Sequence, residues 1–187
     1  PQSGLHYTQI ADIDSLVRKY LVEEISKNYD GNTSSQYFYK PADSESSLLF
    51  AGPAWDYDSA YGAYAREEGM GVLKPTGLYT AASSLKKHWW PLLYGQADFA
   101  SEAARVYREV YAPLLCDLLD ETSGGAMRSL SSYESEIGAS AAMNFVRWPF
   151  STESKTGVKL YSSFEGNVDI LADFIRARRD FLNGEWA

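Results

Sequence analysis

Asp12-Ile13-Asp14-Ser15-Leu16-Val17-Arg18-Lys19-Tyr20-Leu21-Val22-Glu23-Glu24-Ile25-Ser26-Lys27-Asn28-Tyr29-Asp30-Gly31 is the stretch that decides the fold. Ile13, Leu16, Val17, Tyr20, Leu21 and Ile25 recur at helical spacing, which predicts a helix to about Asn28. Asp12 and Asp14 are both suitable N-caps, and Gly31 and Asn32 stop the helix. Asn28-Tyr29-Asp30-Gly31 therefore closes the helical pattern.

Working outward, Tyr37-Phe38-Tyr39 and Leu48-Leu49-Phe50 read as strands joined by the turn-rich Pro41–Ser47 stretch, giving a small hairpin. Gly52-Pro53-Ala54-Trp55-Asp56-Tyr57-Asp58 leaves that hairpin directly and runs to Gly62. Residues 1–10 read as an extended lead-in, and residues 63–80, with Gly69, Gly71, Pro75 and Gly77, as irregular. From Leu85 the pattern is helical. A short segment holds Trp89, Trp90, Leu92 and Leu93. A long one from near Asp98 points Phe99, Ala103, Val106, Val110, Leu114 and Leu118 inward. Pro113 should kink or break it, and Gly124-Gly125 should end it. A further helix points Leu130, Tyr133, Ile137, Ala141 and Phe145 inward. Residues 149–162 read as a loop with a short strand over Val158–Tyr161. The last helix points Phe164, Val168, Leu171, Ile175 and Leu182 inward. The sum is one mainly helical α+β domain over residues 1–187, with a hairpin near its front.

The 187 residues, 45% of them hydrophobic and five of them Trp, are enough for one core. A net charge of −8 without a basic stripe argues against nucleic acid or an anionic membrane as the main partner, but not against a nucleotide whose charge a metal carries. The single Cys116 sits in an apolar run, which excludes an internal disulfide and a cysteine-built zinc site. No apolar run approaches the ~20 residues needed to span a membrane.

Asp30, Asp56 and Asp58 place three carboxylates on two loops. Asp56 and Asp58 alternate with Trp55 and Tyr57. In an extended segment both acids would face one side and both rings the other, and packed rings would fix the acids. Such a set suits a site with one Asp as base and another as metal ligand. Residues 28–39 fail as a calcium loop, because the sixth place is Thr33 and the twelfth is Tyr39. Gly69-Met70-Gly71 with Lys74 lacks the Gly-Lys-Ser/Thr of a phosphate loop. His6 and His88 form no metal motif, and no Gly-x-Ser-x-Gly elbow is present.

Asp12-Ile13-Asp14-Ser15, Glu24, Asn28-x-Asp30, Ser35-x-Tyr37-x-Tyr39-Lys40, Gly52-Pro53-x-Trp55-Asp56-Tyr57-Asp58 and Gly62 together resemble the CotH kinase family, the spore-coat CotH-like atypical protein kinases. Arg147-Trp148 and Phe174-Ile175-x-x-Arg178-x-x-Phe181-Leu182 are similar to that family's closing segment. The resemblance covers nearly the whole chain, and Asn-x-Asp followed by Trp-Asp-x-Asp is its specific part. It implies a kinase-like large lobe whose hairpin carries the active-site loops. It also implies a protein phosphotransferase that uses ATP with Mg or Mn and a protein substrate with a Ser acceptor, in a spore-coat, cell-surface or secreted setting. Asp30 would be the catalytic base. Asp56 would hold the metal with Asp58 as second ligand, while Asn28, Trp55 and Tyr57 support the loops. Ser35 stands where kinases carry a metal-binding Asn, a departure with a shorter reach. Nothing before Asp30 is long enough for a glycine-rich small lobe with its Lys, so these residues read as the large lobe alone, expected to be weakly active or inactive without that partner. Two other readings stand beside this one. Paired acids near Trp and Tyr also suit a carbohydrate-active or carbohydrate-binding module. A non-catalytic scaffold would keep the lobe for assembly.

Overall fold

The structure, a computed structural model, describes residues 4–186 except 33, 66–69, 83–88, 123, 151–157 and 159. It is built around one buried helix, α1 (Ile13–Ser26). Asp12 caps it, its carboxylate accepting from the Ser15 N–H at 2.8 Å. Lys27 ends it in the left-handed region at φ 48°. The Ser15 hydroxyl donates to the Asp12 carbonyl at 3.0 Å and accepts from the Ala51 N–H at 3.1 Å, which ties the hairpin to the helix start. That hairpin pairs β1 (Phe38–Tyr39) antiparallel with β2 (Phe50–Ala51). Ala11 bridges Leu49 in parallel just before it. The lead-in is not extended throughout, since Tyr7–Gln9 forms a 3-10 turn.

Helices α2 (Trp89–Tyr94) and α3 (Ala97–Val106) cover one side of α1. Tyr20 sits at the centre, its ring stacked on Tyr94 at 5.3 Å and edge-on to Phe99 at 5.6 Å, with Trp90 at 6.1 Å and Trp186 at 6.4 Å. Rings of this size bury a large apolar area and add specific edge and stacking contacts to the core. The long helix does not stop at Pro113. A π-turn over Tyr107–Tyr111 precedes α4 (Ala112–Leu118), so Pro113 falls in a first turn, where its missing N–H is not needed. The extra residue of the π-turn also moves the inward positions on by one. Leu115 and Leu119 are buried, rather than Leu114 and Leu118. The helix ends before Gly124-Gly125, where Leu119 caps it and Asp120 turns left-handed at φ 59°.

Helix α5 (Leu130–Arg147) packs on α6 (Phe164–Trp186). No residue of α5 is fully buried, and Tyr133 and Ile137, expected inward, are 44% and 47% exposed. A single neighbouring helix covers only part of an apolar stripe. Helix α6 returns to the core with Phe174, Ile175, Leu182 and Trp186 buried. The Val158–Tyr161 strand falls partly outside the described residues, and Val158, Leu160 and Tyr161 are in no strand. Leu85, Gly69, Thr33 and His88 also lie outside them. The architecture is mainly helical with a small two-stranded sheet.

Candidate active site

The last two turns of α1 are apolar toward the helices and charged toward the loops. Lys19, Glu23, Glu24, Ser26, Lys27 and Asn28 are all buried. Burying so much polarity is tolerable only if the groups find partners. On the α6 side, Arg178 donates to the Glu24 carboxylate at 2.7 Å, to the Glu24 carbonyl at 2.7 Å, and to the Pro75 and Gly77 carbonyls at 3.0 and 2.7 Å. Glu24 in turn accepts from the Tyr79 N–H at 2.6 Å and the Ala81 N–H at 2.9 Å. Burial pushes the Arg178 guanidinium below its ordinary value, and Glu24 opposes this. Lys27 donates to the Gly71, Lys74 and Thr76 carbonyls at 2.9, 2.7 and 2.6 Å. Burial, aided by the Arg178 charge, lowers its pKa to about 8. Residues 70–81 thus have no regular ladder beyond the 3-10 turn Gly71–Leu73; two buried cations and one carboxylate hold their backbone instead.

On the opposite side the two loops named by the sequence come together. The Tyr29 N–H donates to the Ser59 carbonyl at 3.1 Å, and the Tyr61 N–H to the Ser26 carbonyl at 2.7 Å. These bonds zip residues 59–61 to the helix exit. Asn28, fully buried, bridges the loops: its amide donates to the Asp56 carbonyl at 3.2 Å and its oxygen accepts from the Asp30 N–H at 3.2 Å. Asp30 opens a 3-10 turn, and its carbonyl accepts from the Ser34 and Ser35 N–H groups at 3.0 and 3.1 Å. That closure buries Ser35 and aims its hydroxyl at the Asp56 carboxylate, 3.1 Å away. Tyr79 borders the Asp30 side; burial, with Tyr29 and Asp30 adding, pushes its hydroxyl up to about 12.

The expected alternation of acids and rings is overturned. Asp56 adopts φ 67°, a left-handed conformation that breaks the extended run. Trp55 is therefore 56% exposed, edge-on to Tyr37 at 6.2 Å, instead of packing with Tyr57. Tyr57 turns inward, where its hydroxyl donates to Glu23 at 2.7 Å. Burial, then Glu23, raises the Tyr57 pKa above its ordinary value. Non-glycine residues in this conformation concentrate at functional sites.

Asp30, Asn28, Ser35 and Asp56 thus form one hydrogen-bonded set. Asp58 is exposed and lines a cleft of about 310 Å³ with Tyr57, Leu160, Asn167 and Leu171, without a described hydrogen bond to that set. Among the described residues no three His, Cys, Asp or Glu side chains converge as a metal cage. The donors at Asp56 are nonetheless all oxygens, an exposed carboxylate beside a hydroxyl. That fits Mg or Mn, which take one or two carboxylates and leave other positions to water and phosphate.

The family model for the CotH kinase protein matches residues 4–182, nearly the entire chain. The chain belongs to the CotH kinase family. Comparison with curated proteins and with solved structures finds no significant match. The family hit accords with a kinase-like domain. No helix among the described residues is long and apolar enough to cross a membrane.

Lys19, Glu23, Lys27 and Arg178 were not singled out for roles in the sequence. A signal existed for Lys19 and Glu23: they stand four apart, beside the apolar stripe of a helix that must be buried.

Proposed function

We propose that this CotH kinase domain is an ATP- and metal-dependent protein phosphotransferase acting on Ser of a protein substrate. The bridged set of Asn28, Asp30, Ser35 and Asp56 is the observation that carries this reading. Asp30, fixed through its own N–H and carbonyl, accepts the proton of the substrate hydroxyl as it attacks. Asp56 and Ser35 would hold Mg or Mn, with Asp58 as supporting ligand. The metal, when bound, neutralises charge on the transferred phosphoryl group. Asn28 keeps the base loop in register with the metal loop, so a small displacement of either misaligns both. Residues 1–187 act as one domain, the large lobe of this enzyme class.

The test is equilibrium binding of Mn-ATP by calorimetry alongside phosphate transfer to a Ser-containing protein. Asp56→Ala should abolish metal-dependent nucleotide binding. Asp30→Ala should spare binding and lower any transfer by about 10²–10⁴-fold, the contribution of a positioned base. Transfer unchanged in Asp30→Ala, or Mn-ATP binding unchanged in Asp56→Ala, refutes the assignment. Stabilisation by oligosaccharides and not by Mn-ATP would instead favour a carbohydrate-binding role for the exposed Trp55 and Tyr37 rings.

A further inference from the structure

Both loops of the site rest on one buried carboxylate. Glu23 is fully buried, and its Oε1 accepts an ion pair from Lys19 at 2.5 Å and a hydrogen bond from the Tyr57 hydroxyl at 2.7 Å. Lys19 also reaches the Tyr57 oxygen at 3.3 Å, which closes a triangle. Glu23 Oε2 has no hydrogen-bond partner among the described residues. It lies instead against Gly31, where an added Cβ would fall 2.0 Å from Oε2 and 2.7 Å from Cδ. Gly31 has no left-handed φ, so glycine is needed there for space and not for backbone freedom. Gly31 follows the candidate base Asp30, and Tyr57 follows the candidate metal ligand Asp56. One side chain therefore touches the neighbour of each.

We infer that Glu23, clamped by Lys19 and Tyr57, is a positioning residue that sets the separation of the base loop from the metal loop; this rests on the roles proposed for Asp30 and Asp56. Stability alone is a weak reason for the arrangement. A buried ion pair is often no better than apolar side chains of similar volume, and an unmatched buried oxygen carries a penalty. A hydrogen-bond donor supplied to Oε2 would need the space that Gly31 fills, and would push Asp30 away. The carboxylate acts as a fixed stop for the base loop on one side and as an anchor for the metal loop on the other.

Gly31→Ala is the decisive variant, because the added methyl group overlaps a carboxylate that the clamp prevents from swinging aside. Two readouts apply: Mn-ATP binding, and amide hydrogen exchange of residues 29–35 and 55–58 without ligand. Gly31→Ala should weaken Mn-ATP binding about tenfold and raise exchange in both loops by a similar factor, while amides of α3 and α6 keep their protection. Adding Glu23→Asp, which shortens the stop by one methylene, should restore most of the loss in both readouts. Tyr57→Phe, which removes only a hydroxyl, should raise exchange at residues 29–35 as well as in its own loop. Unchanged exchange at residues 55–58 in Gly31→Ala, or at 29–35 in Tyr57→Phe, overturns the inference. So does a failure of Glu23→Asp to rescue Gly31→Ala. Exchange needs no ligand, so Asp56→Ala that still binds Mn-ATP would refute the proposed function and leave the mechanical link between the loops to be decided by exchange.

Discussion

Glu23 and Glu24 are neighbours in the chain, both fully buried and both paired with a cation, yet they serve different sides of α1. Glu24 has partners on both oxygens, and all of them belong to the scaffold: Arg178 of α6, the Tyr20 hydroxyl, and the backbone at Tyr79 and Ala81. Glu23 has partners on one oxygen only, and both lead to the loops of the site. A fully satisfied buried pair locks elements together, and breaking it leaves an uncompensated charge in the core. A half-satisfied one serves geometry, since its free edge bears on a backbone that must approach closely.

The largest effect should come from the scaffold side. Arg178→Met strands the Glu24 carboxylate and the carbonyls of Pro75 and Gly77, and should cost about 3–5 kcal/mol in denaturant unfolding. A loss below about 1 kcal/mol would erase the distinction between the two glutamates. Tyr57→Phe on the site side should cost about 0.5–1.5 kcal/mol, the net worth of one hydrogen bond, while loosening the metal loop. A larger stability loss would make Glu23 a scaffold residue like Glu24.

The two cation cages sharpen the contrast further. Arg178 stays charged at any accessible pH, but Lys27 does not. Its folded pKa of about 8 lies below the ordinary lysine value of 10.5. Between these values the unfolded chain binds the extra proton, so the destabilisation from the buried ammonium, complete below pH 8, is relieved as pH rises toward 10.5. The denaturant midpoint of the wild type should therefore rise from pH 7.5 to 9.5 relative to Lys27→Met. A flat difference between the two proteins would show that the three carbonyls hold the proton firmly. The smallest effect belongs to α5, where Val146 is 85% exposed. Val146→Ser should change stability by no more than about 0.5 kcal/mol by the same unfolding assay, as surface changes do.

Helix α1, its Asp12 cap and the hairpin were legible because short-range spacing and capping chemistry are local properties. The grouping of Asp30, Asn28, Ser35 and Asp56 was legible through the family motif, and the structure joins them by hydrogen bonds. The inward face of α4 was not, because one added π-turn residue shifts every later position, and no local signal counts it. The open part of the α5 stripe, Tyr133 and Ile137, was not legible for another reason: periodicity reports which residues share a face, not whether a neighbour covers it. The outward Trp55 followed from a single left-handed residue, Asp56, in a run that alternates perfectly on paper.

By itself the sequence determined the family, the mainly helical class, and the identity of the loops that carry the acids. Those depend on residue types and spacing along the chain. Only the tertiary structure decided that Glu23 faces the site and Glu24 the scaffold, that Gly31 abuts a carboxylate, and that Arg178 closes the core from the far end. The reason is physical. A buried charge takes its meaning from the partner that neutralises it, and here those partners stand from 4 to 154 positions away.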